Sequence, residues 1–297
     1  MRVFVTGATG YIGSAIVAAL VRAGHRVTGV SRSAERDDVL RKAGAEPLRG
    51  ALGKMKALEA TMAEHDALVH AAVDYLLGPP ADREAVDALL GAARRGGPRV
   101  VIYTSGVWVL GPTPRHVTFD EGALINQPAA AVAWRPAHER AVLDAEIPGV
   151  ATAVIRPGIV FGGKAGLVSP WFSQAMEKGA AQIVGDGEQR WPFVHRDDLA
   201  ELYRLVAERQ AKGVFHGVDG QAVKVGDAAK AASAAAGRGG AVKSTPVAEA
   251  RLKLGPMADA LAMDQLVVSK RGVVVGWQPK HPPFVQDAGA AFREWSA

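Results

Sequence analysis

The chain opens with a short apolar run, Val3-Phe4-Val5, followed by a glycine-rich turn. From Tyr11 to Ala23 the apolar residues Ile12, Ile16 and Leu20 recur at every fourth position, with Val17 beside them, which predicts a helix with one buried face. Gly24 suits a helix stop, and His25–Val30 reads as the next strand. The alternation continues with a helix over Arg32–Ala43, a strand over Leu68–His70, a helix over Asp82–Arg95 and a strand over Val100–Thr104. A helix over Pro136–Asp144 and a strand over Val150–Arg156 follow. Strands alternating with helices predict parallel pairing with helical crossovers, a Rossmann-type doubly wound α/β sheet. After Pro157 the pattern is less regular. Trp171–Lys178, Asp198–Ala207 and Lys224–Gly237 read as helices and Val214–Val218 as a strand, whereas 239–283 mixes loops and short elements.

Composition narrows the function classes. With 297 residues, 48% of them hydrophobic and 22% charged, the chain has enough apolar material for a large core. It contains no cysteine, which excludes disulfides, thiolate metal sites and a thiol nucleophile. No metal ligand set is assigned. The net charge of +5 is scattered, so nucleic acid is not an expected partner. No apolar run reaches membrane-spanning length and no signal segment is read at the start, so the expected location is cytoplasmic.

The most informative segment is Thr6-Gly7-Ala8-Thr9-Gly10-Tyr11-Ile12-Gly13, between the first strand and the first helix. Gly7 permits a tight turn, Gly10 lets backbone approach a pyrophosphate, and Gly13 lets the helix pack closely on the sheet. The pyrophosphate then meets free N–H groups at the positive end of the helix. The second strand runs into Ser31-Arg32-Ser33, with no carboxylate at its end; Glu35 lies beyond. Arg32 can pair with a 2′-phosphate and Ser31 and Ser33 can donate to it, so NADP(H) is the expected cofactor, with NAD(H) as the alternative.

This glycine spacing resembles the short-chain dehydrogenase/reductase superfamily, in particular its extended branch of NAD-dependent epimerase/dehydratase-like proteins. The resemblance covers nearly the whole chain. It includes Val69-His70-Ala71-Ala72, Tyr103-Thr104-Ser105-Gly106, Arg156-Pro157-Gly158-Ile159-Val160-Phe161-Gly162, Phe193-Val194-His195-Arg196-Asp197-Asp198-Leu199-Ala200 and Gly276-Trp277-Gln278-Pro279. It implies a dinucleotide-binding domain over 1–162 to which 193–222 returns, and a smaller substrate lobe from 163–192 and 223–297. It also implies cofactor contacts from Thr9, Tyr11 and Ile12, from Ala71, Ala72 and Val73, from Thr104, and from Pro157, Gly158 and Ile159. Two copies would pair through the helices Asp82–Arg95 and Pro136–Asp144 to make a homodimer.

The active site of the superfamily pairs a serine or threonine with a tyrosine and, four residues later, a lysine. Ser105 matches the serine. No Y-x-x-x-K follows; Trp134 falls in the tyrosine place and His138 in the lysine place. Indole is no useful acid, so Trp134 is expected to stack, and His138 to hold the ribose or donate a proton. Pro136 favours a helix that starts near Arg135, which moves Trp134 into the preceding loop. The resemblance is to atypical members with a degraded pair, in which an aspartate can stand near the end of the fourth strand. Asp74 is that candidate, and Tyr75 a candidate acid. Ser105, Trp108, Arg190 and Trp191 are the expected substrate contacts, with Trp134 and Trp171 as further candidates for an aromatic pocket. Three functions stay open: an oxidoreductase on a small-molecule carbonyl or alcohol, an epimerase or dehydratase on a sugar-like substrate, and a degenerate NADP(H)-binding sensor.

Overall fold

The computed structural model describes residues 1–297. In chain order the first elements are β1 (Arg2–Thr6), α1 (Tyr11–Arg22), β2 (Arg26–Ser31), α2 (Ala34–Lys42), β3 (Glu46–Arg49), the single turn α3 (Glu59–Met62), β4 (Ala67–His70), α4 (Gly78–Arg94), β5 (Val100–Thr104), α5 (Arg135–Leu143) and β6 (Ala151–Pro157). They are followed by β7 (Ile159–Phe161), α6 (Ser169–Lys178), β8 (Ala181–Val184), β9 (Arg190–His195), α7 (Arg196–Arg209), β10 (Gly213–Gly217), β11 (Ala222–Lys224), α8 (Val225–Ala235), β12 (Val242–Thr245), α9 (Val247–Leu254), α10 (Met257–Leu261) and α11 (Phe284–Ser296).

Seven strands form one parallel sheet in the order β10-β6-β5-β4-β1-β2-β3. Such a sheet must be covered on both faces, and its strands are correspondingly apolar. Val3, Val5, Val69, Ile102 and Ile155 pack on one side against Ile16, Val17 and Leu20 of α1 and Leu199, Leu202 and Val206 of α7. Phe4, Leu68, Val101, Tyr103 and Val154 pack on the other against Val86, Leu89 and Leu90 of α4 and Val142 of α5. The chain direction across the sheet reverses between β1 and β4, so the loops after these two strands flank a crevice.

A second layer is built from a three-stranded sheet, β11-β9-β7, and a two-stranded one, β12-β8. Its core is aromatic: Phe161, Trp171, Phe172, Trp191, Phe193 and Phe284 are buried together with the small face of α8. Phe193–His195 pairs with Ile159–Phe161 in this layer. The return to the large sheet therefore starts with α7 and is completed by β10, which lies beside β6.

Several elements were not anticipated, among them β3, β8 and α11. β3 is an edge strand, Glu-Pro-Leu-Arg, and an edge accepts the proline that a central strand would reject. β8 has Ala181 and Ile183 buried and pairs with β12 outside the large sheet. α11 buries Phe284, Ala288 and Ala291 on one face, with Phe292 and Trp295 packed beside them.

Candidate functional site

The loop after β1 is held together by its backbone. Gly7 has φ +67°, and a Cβ there would lie 2.6 Å from the carbonyl oxygen of Ala71 in the loop after β4. A Cβ on Gly13 would lie 2.0 Å from Gly7 O. The two loops of the crevice and the first turn of α1 thus meet at distances that only glycine permits. Gly10 is the N-cap of α1 and no side chain caps the helix, which leaves its first N–H groups free for an anion.

These groups line a cavity of about 520 Å³ whose wall includes Gly7, Thr9, Gly10, Tyr11, Ile12, Arg32, Arg36, Ala71, Ala72, Val73, Asp74 and Tyr75. Arg32 is mostly exposed and pairs with Asp74 at 3.2 Å. Asp74 Oδ1 accepts from the N–H groups of Leu76 and Leu77 and shapes the turn into α4. Arg36 donates to Thr9 O at 3.0 Å and adds a cation that the sequence reading did not name. Ser31 faces the cavity wall but donates its hydroxyl to Asp37, and that hydrogen bond holds the Asp37 carboxyl below its ordinary range. Ser33 caps α2 by accepting from Arg36 N at 3.4 Å. Of the three residues expected around a 2′-phosphate, Ser31 has its hydroxyl proton taken by Asp37, while Arg32 is held only by a largely exposed pair with Asp74.

A second cavity, about 290 Å³, continues from the first through Tyr11, Ile12, Ala71, Ala72, Val73 and Tyr75. Thr104, Ser105, Trp108, Arg135, Pro157, Gly158, Ile159 and Leu167 line it further in. Ser105 sits at the end of β5, where its N–H donates to Ile155 O at 2.8 Å. Its Oγ is buried without a protein partner. Tyr11 closes one side by donating its hydroxyl to Gly162 O at 2.8 Å, and burial raises the pKa of that phenol.

The proline in Arg135-Pro136 places the helix start where it predicts. α5 begins at Arg135, with Trp134 as its N-cap. The buried face of α5 is Arg135, His138, Glu139 and Val142. His138 does not line either cavity, a correction to the role expected for it. One turn beyond the mouth, its Nδ1 meets Asp82 Oδ2 at 2.7 Å. Trp134 also stays outside and packs edge-on to His138, with the Arg135 guanidinium 4.5 Å above its ring. Trp171 and Trp191 stack on one another in the aromatic core instead of facing a pocket. Arg190 is held by both oxygens of Asp264. Trp108 is the one tryptophan that lines the inner cavity.

Asp82 on α4 gathers three donors: His70 Nε2 at 3.2 Å, the Tyr103 hydroxyl at 2.9 Å and His138 Nδ1. Burial pushes its carboxyl up, but the hydrogen bonds from His138 and His70 outweigh burial and hold it well below the usual carboxylate range. Thr6 Oγ1 lies 2.7 Å from the far nitrogen of His70. Arg135 donates through Nη1 to Thr104 O at 2.7 Å and to the Tyr103 hydroxyl at 3.4 Å. A buried polar chain thus runs beneath both cavities from β1 to α5. Arg156 is clamped on Glu139 by a two-pronged ion pair and supports the same helix from β6.

Arg135, like Arg36, is a residue the sequence reading missed. The spacing i, i+3, i+4, i+7 from Arg135 through Val142 carries the signal, once the proline fixes where the helix begins.

The family model for the NAD dependent epimerase/dehydratase family matches residues 3–226. An uncharacterized protein of Schizosaccharomyces pombe is 32% identical over 304 residues, 97% of this chain and 98% of its own length. The 4-hydroxy-2-methyl-3-oxo-4-farnesyl-3,4-dihydroquinoline-1-oxide ketoreductase of Stigmatella aurantiaca is 30% identical over 235 residues, 76% of this chain and 70% of that protein. The crystal structure of human epimerase family protein SDR39U1 (isoform 2) with NADPH is similar with a TM-score of 0.80 at 26% identity, over 100% of this chain and 99% of that one.

Proposed function

The chain belongs to the NAD dependent epimerase/dehydratase family, and from that premise we propose that it is an NADP(H)-dependent oxidoreductase acting on the carbonyl or alcohol of a small molecule. The observation that carries this reading is the Ser105 hydroxyl, buried without a partner at the end of β5 on a residue that lines the inner cavity. A buried hydroxyl without a partner costs about 1–3 kcal/mol. A substrate oxygen in the cavity relieves that cost and is oriented by the bond.

The residues present fit the cofactor. The free N–H groups of α1 and the glycine loop would hold the pyrophosphate, and Arg32 with Arg36 the 2′-phosphate. A nicotinamide cofactor, when bound, would supply the hydride chemistry. Gly158 and Pro157 wall the inner cavity, and Trp108 adds apolar surface to its lining. Tyr75 lies on the shared rim and is exposed, so it or solvent supplies the proton that the usual tyrosine would give. The segments 163–192 and 223–297 act in this reading as the substrate lobe. Mostly apolar walls with a single cation argue for a small carbonyl compound over a sugar nucleotide with two phosphates.

Titration with NADPH and NADH, followed by tryptophan fluorescence and heat, tests the cofactor; NADPH is expected to bind more tightly. A carbonyl panel followed by loss of NADPH tests the reaction. Ser105→Ala should cut turnover at least roughly tenfold, the worth of one oriented hydrogen bond to a reacting oxygen. Tight NADPH binding with no turnover would point to a sensor, and product without net cofactor consumption to an epimerase.

A further inference from the structure

Arg135 is a buried cation with no counter-ion at hand. It is 9% exposed and has no carboxylate within salt-bridge distance. The nearest acidic group in its network, Asp82, has both oxygens occupied by His70, Tyr103 and His138. Of its hydrogen-bonding nitrogens only Nη1 is used, by Thr104 O and the Tyr103 hydroxyl, while the face of the guanidinium lies 4.5 Å from the Trp134 ring. No protein atom accepts from Nε or Nη2. Those two nitrogens form the edge of the fork that matches a carboxylate with two parallel bonds.

The cavity that Arg135 lines carries no other charge and is mostly apolar. It contains no aspartate, glutamate, lysine or other arginine, and Val107, Trp108, Val132, Leu167 and Met257 form much of its wall. An unpaired buried charge is costly, and an anion that enters the cavity removes that cost. A compact anionic head on an apolar body satisfies both halves of the lining.

We propose that the inner cavity is selective for an amphipathic carboxylate: the substrate's carbonyl sits at Ser105 and its carboxylate on the free edge of Arg135. This rests on the oxidoreductase reading for the role of Ser105, while the anion site stands on the cavity itself. Arg135 is then a specificity-determining residue. It also fixes the Ser105 end of β5 through its bond to Thr104 O.

The test uses the protein saturated with NADP⁺ and a matched pair of probes, hexanoate and 1-hexanol, with binding followed by calorimetry and tryptophan fluorescence. Hexanoate should bind at least roughly tenfold more tightly, as a charge-assisted bond in a dry pocket requires, and should weaken with added salt. Arg135→Met should abolish that preference while NADPH affinity changes little. Arg135→Lys should restore part of it. Equal binding of the two probes by the wild-type protein would overturn the proposal and needs no variant to fold. So would an Arg135→Met protein that keeps the hexanoate preference and loses NADPH, because the guanidinium would then serve the ribose. If NADPH fails to bind, the cofactor reading falls, and the same pair of probes on the free protein still decides the anion site.

Discussion

The two cavities of the groove share Tyr11, Ala71 and Tyr75, yet they are made of different material. The outer one is built from backbone. Its grip consists of a glycine loop, the N–H groups of a helix end and close approaches in which no Cβ fits. The inner one is built from side chains: Ser105, Trp108 and Arg135, braced from below by Asp82 and its three donors. Backbone recognition depends on little but glycine, so it survives changes elsewhere in the chain. Side-chain recognition can be rewritten one residue at a time. This explains why the family's dinucleotide pattern is intact here while its tyrosine and lysine are replaced. The place of the tyrosine–lysine pair now holds a helix start that sends a guanidinium into the cavity and an imidazole beneath it.

The sharpest way to break this contrast is at Gly13. Its missing Cβ would stand 2.0 Å from a carbonyl oxygen, and backbone cannot yield that much. Gly13→Ala should cost about 3 kcal/mol of stability and abolish measurable NADPH binding. Thermal unfolding and an NADPH titration check both. A variant that binds NADPH like the wild type would mean that the outer cavity does not rest on this packing.

The inner cavity should fail differently. Asp82→Asn keeps the volume but gives two histidines and a tyrosine a poorer acceptor. Stability should fall by about 3 kcal/mol near neutral pH, with NADPH affinity little changed. The pH dependence has a definite sign. The folded-state pKa of Asp82 is depressed, so its contribution is complete above the ordinary carboxylate range near ~4 and is lost as pH falls through and below it. The wild-type protein should therefore lose its advantage over Asp82→Asn on acidification. Unfolding curves at a series of pH values check this; a constant gap between the two proteins would mean that Asp82 is not charged within the network.

The same contrast explains what was legible in the sequence. The outer cavity announces itself, because three glycines at fixed spacing between an apolar strand and an amphipathic helix have few other uses. The doubly wound order followed from the alternation of apolar runs. β3 escaped because an edge strand buries little, and Glu46 and Arg49 at its ends hide the single apolar residue between them. α11 was legible and went unread: Phe284, Ala288, Ala291, Phe292 and Trp295 recur at helical spacing. At the inner cavity, Pro136 does announce the start of α5 at Arg135, but it does not say which residue of that helix meets the cavity, and the one that lines it is Arg135, not His138. His138 met a partner, Asp82, that is 56 residues away in the chain, and no local pattern foretells such a pair.

Arg32, with Arg36, is where side chains enter the chemistry of the outer cavity, and changing it should have the smallest of these effects. The residue is 72% exposed and its pair with Asp74 is open to solvent, so that pair contributes little to stability. Its value would lie in the cofactor. Arg32→Asp replaces a cation with an anion beside Asp74, and a 2′-phosphate would then face two carboxylates. NADPH affinity should fall roughly tenfold or more, while NADH, which lacks that phosphate, should be unaffected or gain from a carboxylate near its ribose hydroxyls. The ratio of the two dissociation constants is the measurement, because it cancels any general loosening of the loop. An equal loss for both cofactors would remove Arg32 from phosphate recognition. Arg36 would then be the cation to change next, since its Nη1 already rests on Thr9 O inside the same cavity.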